Sequence, residues 1–210
     1  MTPIPTSDLP GHRRLHERTT AALERCQEDQ DVDFKESALW DQLKWKIIHT
    51  ALGMGNLRDG GIIIVGVSQR NNAWTITGIS DADFGSYDPD TVIDQVNAYV
   101  SPHIDLDLVK VTHDSKPFLS ILCKEFGETP LVCKKNGPEG SGIMEGRVYV
   151  RPPGLARTTV VTSAAQLHAL IDLAAEKRAR AFLEMARRVG IPGLRTPSSA
   201  DFFKKELGDL

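Results

Sequence analysis

Residues 60–67 read Gly-Gly-Ile-Ile-Ile-Val-Gly-Val, the longest apolar run in the chain. It is β-branched and bounded by turn residues, Arg58-Asp59 before it and Ser68-Gln69-Arg70-Asn71-Asn72 after it. A run this short falls well below the roughly 20 residues of a membrane helix. It fits a strand buried on both faces. Directly upstream, Leu39, Leu43, Ile47, Ala51 and Met54 recur every three to four residues, which predicts an amphipathic helix from about Ala38 to Gly55. The two are joined by the glycine-rich turn Gly-Met-Gly-Asn-Leu-Arg-Asp-Gly-Gly. The chain is therefore constrained to a fold in which a helix packs on a buried sheet.

The flanking sequence extends that pattern. Residues 14–27 carry Leu15, Ala22, Leu23 and Cys26 along one helical face, and Asp31–Glu36 alternate as a short strand. The strand Gly61–Val67 and the segment Ala73–Ile79 flank a polar turn and read as a hairpin. Asp90 is placed to cap a helix over about 91–100, stopped by Ser101-Pro102. Strands are expected in Ile-Asp-Leu-Asp-Leu-Val-Lys-Val, Lys-Pro-Phe-Leu-Ser-Ile-Leu-Cys, Pro-Leu-Val-Cys-Lys-Lys and Arg-Val-Tyr-Val-Arg. A long helix is expected from about Ser163 to Val189, and a short one near 199–207. Strands that follow one another as hairpins, with helices between some of them, define an α+β fold: a mixed or antiparallel sheet flanked by helices, plus a C-terminal helical extension. The expected organisation is a proline-containing arm over 1–12, a domain over 13–175 and the extension over 176–210.

Charge limits the function classes. Lys and Arg number 25 against 28 Asp and Glu, a net charge of -3. A protein held to phosphates by bulk charge is basic, so any polyanion site must be a local patch on an acidic body. Cys26, Cys123 and Cys133 are odd in number, fit neither a zinc pattern nor a disulfide frame, and read as reduced thiols. The N-terminus lacks an apolar signal core, which points to a cytoplasmic protein with no membrane partner. The glycine-rich turn lacks the Gly-Lys-Ser/Thr ending of a P-loop, and no Gly-x-Ser-x-Gly elbow occurs.

The order of several pieces carries more information than any one of them. Asp33-Phe34-Lys35 precedes the amphipathic helix; the helix ends at Asn56, three residues before Asp59-Gly60-Gly61 and the strand; then come Ser101-Pro102 and, much later, Tyr149-Val150-Arg151. This series resembles the Schlafen-type AlbA domain, a divergent AlbA nucleic-acid-binding domain of bacterial regulators and Schlafen proteins. The resemblance covers about residues 20–175. It implies RNA or single-stranded DNA as partner, and for stand-alone bacterial domains a role in transcription, RNA processing or defence against phage.

In nuclease-active Schlafen members three carboxylates gather a divalent cation. The resemblance maps the first two onto Glu28 and Asp33, five residues apart, which would bind Mg²⁺ or Mn²⁺. Lys35, on the same strand face as Asp33, would meet a phosphate oxygen. Where the third carboxylate is expected, this chain has Ser68 and Gln69. Lys44, Lys46, Arg58, Arg151 and Arg157 are the expected nucleic-acid contacts. Other readings stand beside these. Gly60-Gly61 suits a helix exit and strand entry, Asn56 a helix cap, and Trp40, Trp45 and Trp74 a core or interface. Three functions follow: a nucleic-acid-binding module, a metal-dependent endoribonuclease with an incomplete carboxylate site, or an interaction protein. The last would pair with a second copy or a partner through the C-terminal helix.

Overall fold

The computed structural model describes residue 4 and residues 12–190 except 72. The expected arm over 1–12 and the short helix near 199–207 lie almost wholly outside the described residues. The elements are α1 (Arg13–Arg25), β1 (Val32–Lys35), α2 (Trp40–Met54), β2 (Gly61–Val65), β3 (Val67–Arg70), β4 (Ala73–Ile76), α3 (Asp81–Phe84) and α4 (Pro89–Asn97). They are followed by β5 (Val100–Ser101), β6 (Leu106–His113), β7 (Lys116–Cys123), β8 (Val132–Cys133), β9 (Tyr149–Val150), β10 (Thr159–Val160) and α5 (Ala164–Val189). The fold is α+β. Its central sheet is mixed, in the order β1-β2-β7-β6, with β1 parallel to β2 and the other neighbours antiparallel. No helix among the described residues is long and apolar enough to cross a membrane.

The run that constrains the sequence is the centre of this sheet. Ile62, Ile63, Ile64 and Val65 are all fully buried. Alternation along β2 divides them between two cores. Ile63 and Val65 face α2, α4 and α5, together with Leu119, Ile121 and Leu108; Ile62 and Ile64 face α1, together with Phe118, Val109 and Val111. Each such side chain contributes about 1.5–3 kcal/mol relative to exposure. Helix α1 closes the second core with Leu15, Ala22 and Leu23. A buried hydroxyl pair, Thr19 Oγ1 with Ser120 Oγ at 2.8 Å, satisfies the polar atoms of that face.

Local chemistry explains the element ends. Gly60 has φ +64°, and a Cβ there would lie 2.1 Å from the Cys123 carbonyl oxygen, so the turn after α2 requires glycine. Gly66, at φ +122°, ends β2, and the apolar run continues as a separate strand from Val67. Expected as one strand to Val67, the run is thus two, because Gly66 turns the chain. Helix α4 starts at Pro89, not 91. Its cap is Asp88, whose side chain accepts from the Thr91 amide, rather than Asp90. Helix α5 opens on a capping box of Ser163 and Gln166. It packs through Leu170, Leu173 and Ala174 and runs unbroken past 175, while Leu167 and Ile171 stay exposed.

Candidate functional site

Strand β1 is at the edge of the central sheet. Its period of two sends Val32 and Phe34 into the core beneath α1 and therefore sends Asp33 and Lys35 to the opposite face, toward α2. Asp33 is buried, at 6% exposure. Its Oδ2 pairs with Lys35 Nζ, and its Oδ1 accepts from Arg151 Nη1 at 3.1 Å. The Arg151 guanidinium is wholly buried. Its Nε donates to the Gln30 carbonyl at 2.6 Å, and its Nη2 donates to the carbonyls of Asp29 and Val32 at 3.0 and 3.2 Å. Gln30 returns a bond from Nε2 to the Arg151 carbonyl at 2.6 Å. Arg151 therefore staples the turn before β1 to the end of β9.

Asn56 sets β9 in place. Its Nδ2 donates to the carbonyls of Leu131 and Tyr149, both at 2.9 Å, and its Oδ1 accepts from the Leu131 amide at 2.7 Å. It is a buried crosslink between chain segments, not a helix cap. Tyr149 extends the same scaffold. Its hydroxyl donates to the Gly142 carbonyl and accepts from the Met144 amide, which holds the 134–146 loop against α2.

Glu28 lies beside this pair. Its Oε1 accepts from the Phe34 amide at 2.8 Å. Burial pushes its pKa above the ordinary 4.5, and nearby Asp33 adds to the rise, while the Phe34 amide, Lys35 and Arg151 oppose it. His49 of α2 completes the cluster. Burial lowers its pKa below 6.5, Lys35 and Arg151 lower it further, and Asp33 opposes them. Its ring stacks edge-on to Tyr149, with centroids 5.0 Å apart. His49 was not expected from the sequence. A lone histidine in an apolar helical pattern gives no signal of a site; the structure places it half-buried on α2.

The cluster was expected to hold Mg²⁺ or Mn²⁺ through Glu28 and Asp33. As the side chains stand, the donors do not fit such an ion. Both Asp33 oxygens already face a cation, Oε1 of Glu28 is taken by a backbone amide, and no group of three His, Cys, Asp or Glu side chains converges among the described residues. Hard divalent ions depend on several carboxylate oxygens. Ser68 and Gln69 alternate on β3 as regular strand residues: Ser68 is buried with its Oγ unpartnered, and Gln69 is exposed. Neither adds a charge. Asp59 lies in the turn before β2, where its amide donates to Glu125.

The family model described as Schlafen, AlbA_2 matches residues 28–155, a span that includes Glu28, Asp33 and Arg151 and is more than half of the chain. The chain belongs to the Schlafen AlbA_2 family. Among solved structures it is similar to the DIP2311 protein of Corynebacterium diphtheriae, at 17% identity and a TM-score of 0.47, over 75% of this chain and 28% of that one. It is also similar to the N-terminal domain of a RecG-related protein from Nitrosomonas europaea, at 16% identity and a TM-score of 0.43, over 70% of this chain and 94% of that one. The chain thus spans little more than a quarter of the C. diphtheriae protein. A search of curated proteins finds no match.

In this Schlafen AlbA_2 chain the five expected nucleic-acid contacts do not form one set. Arg151 is the correction: it is buried and committed to Asp33 and three carbonyls, so it cannot reach a phosphate without opening the staple. Arg58 lies past the C-terminal end of α2 and pairs with Glu176 at 2.6 Å. The end of α2 that it follows is roughly 15 Å along the helix from Lys44. Arg157 is exposed, and its neighbour Thr158 abuts Gly53 in the last turn of α2. Lys44 and Lys46 lie about 100° to either side of Trp45 around α2 and so point to different sides of the helix, Lys44 half-buried and Lys46 exposed. The structure adds Lys134 and Lys135, exposed in the loop that packs beside this helix. Trp40 is core, and Trp74 is half-buried against the core beneath α1. Trp40 Nε1 donates to Gln95 Oε1 at 2.9 Å, and Trp74 stacks edge-on to Phe34. Trp45 is only half-buried and opens to the surface.

Proposed function

We propose that this chain binds single-stranded nucleic acid, RNA or single-stranded DNA, and that it does so without a divalent cation. The observation that carries the reading is the neutralisation of Asp33. An acidic cluster repels a polyanion unless something cancels it, and here Lys35 and Arg151 cancel it from within the protein. With that repulsion removed, we take Lys44 and Lys135, which line one pocket, with the exposed Lys46 and Lys134 near them in sequence, as the basic rim of a chain of net charge -3. A rim of this size contacts few phosphates, so the expected affinity is modest and falls steeply with salt.

The test is fluorescence anisotropy of a labelled single strand titrated with protein at several salt concentrations, once in EDTA and once with Mn²⁺. Binding at low salt, equal in both conditions, supports the reading. Binding that requires Mn²⁺, or cleavage of the strand that appears with Mn²⁺ and is lost in Glu28→Gln, would instead favour metal-dependent endoribonuclease activity at this cluster.

A further inference from the structure

The surface beside the basic rim contains a small pocket of about 220 Å³, lined by Lys44, Trp45, Ile48, Gln95, Tyr99 and Lys135 among others. Two aromatic rings form its walls: Trp45 and Tyr99 meet edge-to-face, with centroids 5.3 Å apart and planes at 85°. Both are half-buried, so each is fixed by the core on one side and open on the other. Each ring is covered by a lysine. Lys44 Nζ lies 5.0 Å from the Trp45 ring centroid, and Lys135 Nζ lies 4.4 Å from that of Tyr99.

Gln95 gives the pocket a chemical preference. Its Oε1 already accepts the Trp40 indole N–H at 2.9 Å. An indole nitrogen only donates, so the amide orientation is fixed and what Gln95 has left to offer is its N–H₂ group. The pocket therefore combines two rigid π-faces, an amide donor and two ammonium groups. A hydrocarbon ligand would leave the donor and both cations unused. An anion alone would leave the rings unused.

We infer that this pocket is a subsite for one nucleobase of the bound single strand. The base stacks on Trp45 or Tyr99 and presents a ring carbonyl to the Gln95 amide. Lys44 and Lys135 leave the ring faces for the flanking phosphates. Exchange of a lysine for a base on an exposed ring is favourable because base stacking on an aromatic side chain exceeds an exposed cation–π contact. The lysine gains a phosphate in the same step. This inference rests on the proposed nucleic-acid binding and adds where, and through which chemistry, a base is held.

The experiment compares two single strands of about twelve nucleotides, oligothymidylate and a wholly abasic strand with the same phosphates, by anisotropy in low salt. Wild type is expected to bind the thymidylate strand about tenfold more tightly than the abasic one. Trp45→Leu and Tyr99→Leu should narrow that preference, and Trp45→Phe should keep most of it. The abasic strand needs no variant, so a substitution that impaired folding would not spoil the comparison. If wild type binds both strands equally, or if both leucine variants keep the full preference, the subsite is overturned while nucleic-acid binding stands. If neither strand binds, both ideas fall together.

Discussion

Replacing Arg151 by Met tests the staple that organises the site. The substitution keeps the aliphatic stem and removes every N–H donor of a fully buried guanidinium. The carbonyls of Gln30, Asp29 and Val32 each lose a donor, and Asp33 keeps only Lys35. Breaking a buried ion pair from one side costs about 3–5 kcal/mol. The lost carbonyl bonds overlap with that figure, and water reaches Asp29 and Gln30 more readily than it reaches Val32. The expected loss is about 4 kcal/mol, or a fall in Tm of roughly 8–16 °C for a chain of this size. Asp33→Asn leaves the three carbonyl bonds in place and is expected to cost less, about 2 kcal/mol. The double variant should then lose less than the sum of the two. Urea unfolding followed by circular dichroism measures all three. If Arg151→Met unfolds within about 1 kcal/mol of wild type yet binds nucleic acid more weakly, Arg151 is a surface ligand and the staple is wrong.

Glu28 carries a pH signature. Because its folded pKa is raised above 4.5, the folded state binds the extra proton in the window just above that value, and stability falls as pH rises through it. Glu28→Gln keeps an acceptor for the Phe34 amide and removes the charge. It should therefore gain stability over wild type at neutral pH, with the gain vanishing toward pH 4; a gain that grows in acid would contradict the assignment. His49 has the opposite sense. Its folded pKa lies below 6.5, so stability drops as pH falls below that value, and its imidazole signals by NMR should show a midpoint under 6.5 and a neutral ring at pH 7. A midpoint above 6.5 would mean that the ring is not buried beside Lys35 and Arg151. Gly60→Ala forces a Cβ against the Cys123 carbonyl at a left-handed φ and should cost roughly 4 kcal/mol; thermal melts showing a near-wild-type Tm would refute the turn geometry.

Much of the fold could be read locally. The Ile-Ile-Ile-Val strand, the period of α2, the strand Lys116–Cys123 and the span of α5 each carry their own pattern within a few residues. The two-residue strands β5 and β10 carry none, because their pairing partners, not their sequence, make them strands. The site was legible as a set of residues but not as an arrangement. Asp33 and Arg151 both stood out, yet nothing local reveals that residues 118 apart neutralise each other in the interior. A buried arginine looks like a surface arginine until its carbonyl partners are known. The same holds for Asn56, whose three bonds reach Leu131 and Tyr149. It holds too for Trp45, whose partner Tyr99 comes from the end of another helix.

The most direct test of nucleic-acid binding through the lysine rim is the dependence of affinity on salt in EDTA, measured for wild type and for Lys44→Ala, Lys46→Ala and Lys135→Ala. Each phosphate-contacting lysine contributes about one unit to the slope of log K against log salt. The expected result is a negative slope in wild type that shrinks by about one unit in each variant, with Arg58→Ala leaving it unchanged. Slopes identical in wild type and all three lysine variants, or no binding at low salt, would contradict it.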